Sequence, residues 1–537
     1  MSRRAQRLIA FDVAPALAPT LALTLALTLA LGLHGAALAA ADDSLPAAVL
    51  TALQQAGVAP EALAAVALPL GHRGQPWQVR GTLPMQPGSA MKLVTAVVAL
   101  DRLGTTHTGS TRLLSAAPQD GTVLRGDLVL QGGGDPSLGL PQLWALLVDL
   151  RDRGITRIEG DLLLDRQRYR PARLDVGAAP FDERPEGWWN VIPDALLLSD
   201  GLQNVELVSD AASAGVSADK SVSARLRPAV QGVRLDTTAL ALNERPCSDW
   251  DADWLPPRTG ADPQHPGGVV VVLQGSFPRQ CRRVESMQVV ERNTYTGLVF
   301  AQLWRELGGQ WAGGVREAAA PAAARVLAER RAPPWGEVLR PLLKTSDNTL
   351  ARMLFLELGV PAMAAAPQAQ TIDLARDVVQ HWFTEKGLPT QGLVVDNGSG
   401  LSRTERIQAL ALARLLEWAW HSRLAPDLLM ALPVAGVDGT LRNRLKDSAA
   451  SGSARLKTGT LRNVAALAGV VNDAQGRPWA LVAIVNHDIG AGARPVLDAL
   501  VDDFARRGPY RPSIHHERHQ PNLPRPDSFT GSGAAGP

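Results

Sequence analysis

The sequence predicts an α+β protein in which two helix-rich segments enclose a long segment of short strands. A nearly all-apolar helix follows Ser89, and two apolar runs flanking a turn, Val464–Asn472 and Pro478–Asn486, predict a hairpin of buried strands. Between them, short β-like runs alternate with turns from about 107 to 320. At 537 residues the chain exceeds one ordinary core, so we expect two or three domains.

The N-terminus has the pattern of an export signal. A basic start (Arg3, Arg4 and Arg7) precedes an Ala/Leu-rich run, and Ala37–Ala39 forms a small-x-small cleavage site. We therefore expect 1–39 to be a cleaved signal peptide and the mature protein to be periplasmic. The alternative is a retained anchor, because the apolar run approaches the roughly 20 residues that span a bilayer. Nothing later is long and apolar enough to span, so any other membrane association would be peripheral.

Composition excludes some classes of protein. The net charge is only +2, and the chain after the N-terminal segment has no long basic run. The sequence therefore lacks the clustered positive charge that is typical of nucleic-acid-binding proteins. The two cysteines, Cys247 and Cys281, indicate one disulfide in an exported chain, with two free thiols as the alternative. No histidine pair accompanies them, which argues against a zinc site, and we expect no metal.

The elements divide the chain into five parts. We expect the signal (1–39), a first part of a catalytic domain (42–106), an inserted mostly-β region (107–320), a second part of the catalytic domain (321–508) and a disordered tail (509–537). The predicted elements, in order, are a helix Leu45–Gln55, a strand Val66–Leu70, the helix after Ser89, strands Asp127–Gln131, Asp161–Leu164, Val205–Val208 and Gly268–Leu273, a helix Asn293–Leu307, a loop Pro321–Arg331, helices Glu337–Leu358, Thr371–Lys386 and Ile407–Leu424, the hairpin, and a helix from Pro495 to Arg507.

Ser89-Ala-Met-Lys92 carries the first chemical signal. Spacing i, i+3 on a helix places both side chains on one face, and burial of the lysine lowers its pKa, so that it can accept the serine proton. Helix-start N–H groups beside Ser89 favour developing negative charge. A second match, Ser217-Ala-Asp-Lys220, lies in a polar stretch with no apolar helix after it, and we interpret it as chance. The alternative for Ser89 is a plain helix cap with a core lysine.

Two further motifs supply the other functional groups that acyl transfer through a serine ester requires. Ser346-Asp-Asn348 precedes an apolar helical stretch, so Ser346 can present a hydroxyl and Asn348 can orient a lysine or a substrate amide. Lys457-Thr-Gly-Thr460 stands before a buried strand. There Lys457 and Thr458 can hold a carboxylate, Gly459 lets a substrate backbone approach, and the N–H of Thr460 with that of Ser89 can form an oxyanion hole. Each motif alone could be a cap or a turn, but the ordered set favours catalysis.

These motifs resemble those of the serine penicillin-binding proteins and serine β-lactamases. The long insertion between 89 and 346, together with four further segments, narrows the resemblance to D-alanyl-D-alanine carboxypeptidases/endopeptidases of the penicillin-binding protein 4 type. The further segments are Gly126–Leu138, Asp396–Ser402, Val437–Leu441 and Asn486-His487 with the helix that follows. One departure is Gly88, where the family commonly has alanine.

The resemblance implies a fold, a reaction and roles for residues. The fold would be a penicillin-recognising serine transpeptidase-like domain, an antiparallel sheet flanked by helices, with a large mostly-β insertion. Ser89 would attack D-Ala-D-Ala or a D-amino-acid cross-link of peptidoglycan, with Lys92 as base, Ser346 and Asn348 as relay, and no cofactor. The partners would be peptidoglycan stem peptides and cross-links, and β-lactam antibiotics. Asp135 could meet a cationic group of the peptide, with capping of its Asp-Pro turn as the alternative.

Two other functions remain open from the sequence. One is a β-lactamase or esterase on the same scaffold, which the large insertion disfavours. The other is a non-catalytic cell-wall-binding protein, which the intact motifs disfavour.

Overall fold

The computed structural model describes residues 45–209, 222–265 and 267–507. The predicted signal peptide, the predicted tail and the second Ser-x-x-Lys match at Ser217 lie outside the described residues. Of the helices in the described part of the chain, none has the length and apolar character needed to cross a membrane.

The first part of the chain supplies the nucleophile's helix and three strands. Its elements are α1 (Ala47–Ala56), β1 (Leu63–Pro69), β2 (Trp77–Val79), β3 (Pro84–Met85), a 3₁₀ turn (Gly88–Met91) and α2 (Lys92–Leu103). Helix α2 is buried from Lys92 to Leu100 and ends at Gly104, which agrees with the predicted apolar helix.

The inserted region contains fifteen of the described strands. These are β4 (Ser110–Ser115), β5 (Gln119–Asp120), β6 (Val123–Leu124), β7 (Leu128–Gly133), β8 (Arg157–Ile158), β9 (Leu162–Asp165), β10 (Gln203–Val208), β11 (Ser223–Arg227), β12 (Val233–Asn243), β13 (Trp254–Ala261), β14 (Val269–Pro278), β15 (Arg282–Met287), β16 (Gln310–Trp311), β17 (Val315–Glu317) and β18 (Arg325–Arg331). Two helices accompany them, α3 (Leu140–Asp152), which the sequence analysis missed, and α4 (Arg292–Glu306).

The last part of the chain returns to helices and then closes the sheet. Its elements are α5 (Trp335–Lys344), α6 (Asn348–Gly359), α7 (Thr371–Glu385), β19 (Ile407–Gln408), α8 (Ala409–His421), α9 (Ala425–Ala431), β20 (Arg455–Leu461), β21 (Val464–Asn472), β22 (Pro478–Asn486) and α10 (Arg494–Arg507). The hairpin β21–β22 has the predicted bounds. The single helix predicted over Glu337–Leu358 is wrong, because the chain breaks at Thr345–Asp347 between α5 and α6.

The central sheet is antiparallel and buried on both faces. Its strand order is β2-β1-β22-β21-β20, so the two ends of the sequence pair directly along β1 and β22. Along β1, the side chains of Ala64 and Val66 pack on one face of the sheet, in a core formed with helices α2 and α5 to α9. Those of Ala65 and Ala67 pack on the other face with α1 and α10. Burial of both faces explains why its strands are nearly continuous apolar runs. Strand β20 forms one edge and faces the cleft.

The inserted region has its own apolar core. Its strands form sheets of order β17-β9-β7-β4-β18, β16-β8-β6-β5, β11-β10-β15 and β12-β14-β13 around a separate apolar cluster. The loop predicted over Pro321–Arg331 is wrong, because β18 pairs antiparallel with β4. Strand β18 is an edge strand that buries little beyond Leu327 and Ala328, so its exposed charges look like a loop in the sequence. Strand β18 therefore belongs to the same sheet as β4 of the inserted region.

The two cysteines meet in the inserted region. Cys247 and Cys281 form a disulfide with a Cα–Cα distance of 5.3 Å. It ties the turn before β13 to the start of β15.

Candidate active site

Ser89 and Lys92 face each other at the start of the buried helix. Ser89 lies in the 3₁₀ turn, and the turn continues into α2 at Lys92. The Lys92 Nζ is 3.0 Å from the Ser89 Oγ. This is the contact that the i, i+3 spacing predicts, and it places an amine within proton-transfer distance of the hydroxyl.

The Lys92 amine is enclosed by acceptors from three parts of the chain. Besides Ser89, it donates to the Asn348 Oδ1 at 2.6 Å and to the backbone carbonyl of Ser399. Burial lowers the pKa of Lys92 to about 7, with the nearby Arg352 charge acting in the same direction and Asp347 and Glu405 opposing it. Near neutral pH a large fraction of Lys92 is therefore neutral and able to accept a proton.

Ser346 lies at the break between α5 and α6 in an unusual backbone conformation. Its φ is 63°, a left-handed value that costs a non-glycine residue about 1–3 kcal/mol. Asp347 follows as the N-cap of α6, its carboxylate accepting from the N–H of Leu350 at 2.9 Å. The strained turn places the Ser346 hydroxyl in the cleft, 2.8 Å from the Nζ of Lys457.

Lys457 supports Ser346 from behind rather than lining the cleft. Its side chain is fully buried, and its amine donates to Ser346 and, at 2.7 Å, to the carbonyl of Thr458. Burial, and next the charge of Lys92, hold the pKa of Lys457 well below its usual range. An anion bound in the cleft would favour the charged form again.

On the edge strand β20, the two threonines face the cleft and the glycine between them packs against the backbone before Ser89. Thr458 and Thr460 line the cleft, and the Thr458 hydroxyl donates to the Thr440 Oγ1 at 2.9 Å. A Cβ at Gly459 would lie 2.3 Å from the carbonyl oxygen of Pro87. The missing side chain of Gly459 therefore leaves room for the chain's own backbone before Ser89. The approach of a substrate backbone to Gly459 stays a prediction.

Gly88 fits the same close approach. Its φ is +51°, which favours glycine, and an added Cβ would lie 3.2 Å from the backbone N of Thr460. The amide of Thr460 therefore lies beside the turn that carries Ser89. Glycine therefore suits the backbone conformation at position 88.

The cleft has a volume of about 720 Å³ and walls from both domains. Ser89, Ser346 and Asn348 line it. The inserted region contributes further lining residues, Phe181–Glu183 and Trp188–Trp189. The Asn348 Nδ2 donates to the carbonyl of Trp189 at 2.9 Å, so one amide side chain contacts both Lys92 and the inserted region.

The loop 396–405 is a supporting element to which the sequence analysis gave no role. Glu405 is buried, and one of its carboxylate oxygens accepts from the backbone N–H groups of Asp396, Asn397 and Gly398 at 3.1–3.2 Å. That loop delivers the Ser399 carbonyl to Lys92. In the sequence, the Gly-Ser-Gly pattern could have indicated a tightly packed loop here. Gly400 has φ +84°, and a Cβ there would lie 2.1 Å from the carbonyl oxygen of Gly88.

Asp135 does not lie in the cleft, which corrects its assignment as a substrate-binding residue. It is buried in the inserted region, where its carboxylate accepts from the N–H of Ser137 at 2.9 Å and from the Thr111 hydroxyl at 3.0 Å. It also forms an ion pair with Arg330 of β18. The carboxylate thus caps its own turn and joins strands, the alternative that the sequence left open.

Among residues 45–209, 222–265 and 267–507, no three His, Cys, Asp or Glu side chains come together as a metal site would require.

A family model described as the D-Ala-D-Ala carboxypeptidase 3 (S13) family matches residues 45–507. The chain belongs to this family. It is therefore a serine-type D-Ala-D-Ala carboxypeptidase, and the family resemblance seen in the motifs is confirmed.

Similar proteins agree with this assignment. The chain is 30% identical to a D-alanyl-D-alanine carboxypeptidase of Actinomadura sp. over 77% of this chain and 76% of that protein. It is 26% identical to the D-alanyl-D-alanine carboxypeptidase DacB of Haemophilus influenzae over 76% of this chain and 81% of that protein.

A solved structure shares the fold. Penicillin binding protein 4 of Haemophilus influenzae superposes with a TM-score of 0.67 at 24% identity, over 85% of this chain and 98% of that one. The predicted α+β fold class is thereby confirmed.

Proposed function

We propose that this S13 family member is a periplasmic DD-carboxypeptidase and DD-endopeptidase that cleaves D-Ala-D-Ala and D-amino-acid cross-links of peptidoglycan through an ester on Ser89. The observation that carries the proposal is the 3.0 Å contact between Ser89 and a buried Lys92 whose pKa is about 7. A neutral amine at that distance can act as the general base that a serine nucleophile needs.

In the first step, the Ser89 oxygen attacks the carbonyl carbon of the residue before the terminal D-amino acid. The Ser89 proton passes to Lys92. As the peptide C–N bond breaks, the departing amine takes a proton that Lys92 and Ser346 can supply. The acyl group stays on Ser89, and water, activated by the same lysine, hydrolyses the ester and restores the hydroxyl.

Two backbone amides and one threonine hydroxyl would position the substrate. The N–H groups of Ser89 and Thr460 would stabilise the oxyanion, since Thr460 lies beside the turn that carries Ser89. The terminal carboxylate would lie against the Thr458 hydroxyl, with the buried charge of Lys457 and the Ser346 hydroxyl behind it. Asn348 would hold both Lys92 and the Trp189 wall in place.

Covalent reaction with penicillins is part of the proposal. The structure of penicillin binding protein 4 of Haemophilus influenzae was also solved in complex with a β-lactam, at 23% identity and a TM-score of 0.65 to this chain. A β-lactam would present an acyl carbonyl and a carboxylate to the groups described above, as the peptide does, with the carbonyl activated by ring strain.

The test is incubation of the purified protein with fluorescent penicillin and with defined muropeptide monomers and dimers. We expect covalent labelling, D-Ala release from pentapeptides and cleavage of dimers, all lost in Ser89→Ala. A matched control is Ser248→Ala, which removes an exposed hydroxyl that does not line the cleft. Labelling that survives in Ser89→Ala would place the nucleophile elsewhere. Rapid penicillin turnover without D-Ala release would indicate a β-lactamase instead.

A further inference from the structure

The wall of the cleft beyond Thr460 is basic. Strand β20 leads from Thr458 through Thr460 to a tight turn at Arg462, and the start of α10 places Arg494 next to it. Both arginines line the cleft, and the Arg494 Nη2 lies 3.4 Å from the Thr460 Oγ1. Neither was singled out by the sequence motifs.

The two arginines of this wall have no directly bound carboxylate within the described part of the chain. Arg444, which also lines the cleft, is paired with Asp498 at 2.6 Å. In the part of the chain that the structure describes, neither Arg462 nor Arg494 forms an ion pair. Burial, and next the Arg444 charge, lower the pKa of Arg494, and the charge of Asp498 opposes them.

The inserted region brings two carboxylates to the same cleft, Asp182 and Glu183. They lie near a further cation, Arg403, whose guanidinium is 4.6 Å from the Phe181 ring. The charges on this side of the cleft are therefore of both signs, whereas those of the Arg462 and Arg494 wall are positive. A carboxylate of a bound peptide is attracted to that wall.

The direction of β20 identifies which half of the substrate meets the arginines. With the scissile carbonyl at the Thr460 amide and the terminal carboxylate at Thr458, the leaving residue lies toward Thr458. The acyl half must extend the other way, toward Arg462. A strand rises about 3.3 Å per residue, so Arg462 begins roughly 7 Å beyond Thr460, the length of about two extended peptide residues.

We propose that Arg462 and Arg494 form a binding site for a carboxylate in the acyl half of the substrate, about two residues before the residue whose carbonyl is attacked. The inference rests on the proposed function and names its substrate class: stem peptides with a free acidic group at that position, in preference to peptides in which it is amidated. The arginine wall acts as a specificity determinant and takes no part in the bond chemistry.

The experiment compares two synthetic peptides that differ in one group. Acetyl-γ-D-Glu-L-Lys-D-Ala-D-Ala carries a free α-carboxylate on its first residue, and its matched partner carries the carboxamide there. The wild-type enzyme should show a kcat/KM ratio of acid to amide of roughly 1.5 to 5, the range of exposed ion pairs. The ratio should fall toward one when ionic strength is raised, because exposed charges are screened.

Variants assign the effect to the two arginines. In the double variant Arg462→Gln and Arg494→Gln the acid-to-amide ratio should fall to about one. Arg442→Gln is the control: it removes an exposed arginine close in sequence that does not line the cleft. A wild-type ratio of one at low salt would overturn the inference, as would a ratio that the double variant leaves unchanged.

A binding measurement separates this inference from the proposed reaction. Affinities of both peptides for Ser89→Ala, measured by calorimetry, should show the same acid preference without any turnover. If Ser89 is labelled by penicillin and the amide peptide is hydrolysed while no acid preference is seen, the proposed function stands and the arginine site fails. If neither labelling nor hydrolysis occurs but the acid peptide binds more tightly, the proposed reaction fails and the site stands.

Discussion

Acylation of Ser89 should depend on pH through the protonation of Lys92. Because Lys92 is fully buried, its pKa is lowered from 10.5 to about 7. At pH 5 about 1% of the amine is then neutral, against roughly half at pH 7. At the ordinary lysine value only about 0.03% would be neutral at pH 7, so burial raises the reactive fraction by about three orders of magnitude.

The assay is the second-order rate of acylation by a chromogenic β-lactam, measured by stopped flow from pH 5 to pH 9. The rate should rise roughly 100-fold from pH 5 to a plateau above pH 8, with its midpoint near 7. Arg352→Gln removes a positive charge that lowers the pKa of Lys92, so its midpoint should move to higher pH. Lys446→Gln, the control, removes an exposed lysine outside the cleft and should leave the profile unchanged.

Two results would refute the reasoning. A rate that is flat between pH 5 and pH 9 would show that Lys92 is not the base in acylation. A midpoint above pH 9 would show that burial does not lower the pKa of Lys92 in the working enzyme. Circular dichroism at each pH would verify that the protein stays folded across the series.

Three further substitutions test the supporting structure. Gly459→Ala puts a methyl group 2.3 Å from a backbone carbonyl and should lower stability by about 1–3 kcal/mol and reduce penicillin labelling, whereas Gly260→Ala, with open space around it, should leave the melting temperature nearly unchanged. Glu357→Gln should cost about 3–5 kcal/mol in denaturant unfolding, because the buried carboxylate joins the inserted region to α6 through an arginine, a histidine and a tyrosine; Glu385→Gln, in an exposed ion pair, should cost less than about 1 kcal/mol. Since the pKa of Glu357 is lowered in the folded protein, its stabilisation is present above its unfolded pKa of about 4.5 and is lost as the pH falls through the lower folded value. Asp135→Asn should lower the melting temperature while the KM for D-Ala-D-Ala peptides stays unchanged; a raised KM at full stability would restore a substrate role for that residue.

Local patterns in the sequence were sufficient for the elements whose burial is nearly uniform. The strands of the hairpin β21–β22 are buried on both faces, so their continuous apolar runs give their bounds directly. Elements with mixed surfaces were less well predicted. Strand β18 exposes Arg325, Glu329 and Arg331. Helices α5 and α6 meet at Ser346, whose positive φ has no strong local signal in a serine.

The same distinction applies to the active site. The i, i+3 spacing of Ser89 and Lys92 is a property of one helix, and the sequence therefore predicts their contact. The contacts of Lys92 with Asn348 and Ser399 join residues far apart in the chain and depend on how α2, α6 and the loop 396–405 pack. Likewise, no pattern around Asp135 shows that Arg330 lies against it.

By itself, the sequence determined the type of chemistry and the family, because three short motifs state which functional groups are available and each lies next to a suitable helix or strand. Only the tertiary structure decided what each group contacts. In the folded protein, Lys92 is buried deeply enough for its pKa to be near 7, and Lys457 lies behind Ser346. The backbone before Ser89 packs against Gly459. These outcomes depend on desolvation and on distances between segments that are remote in the sequence, and such quantities are set by packing rather than by local composition.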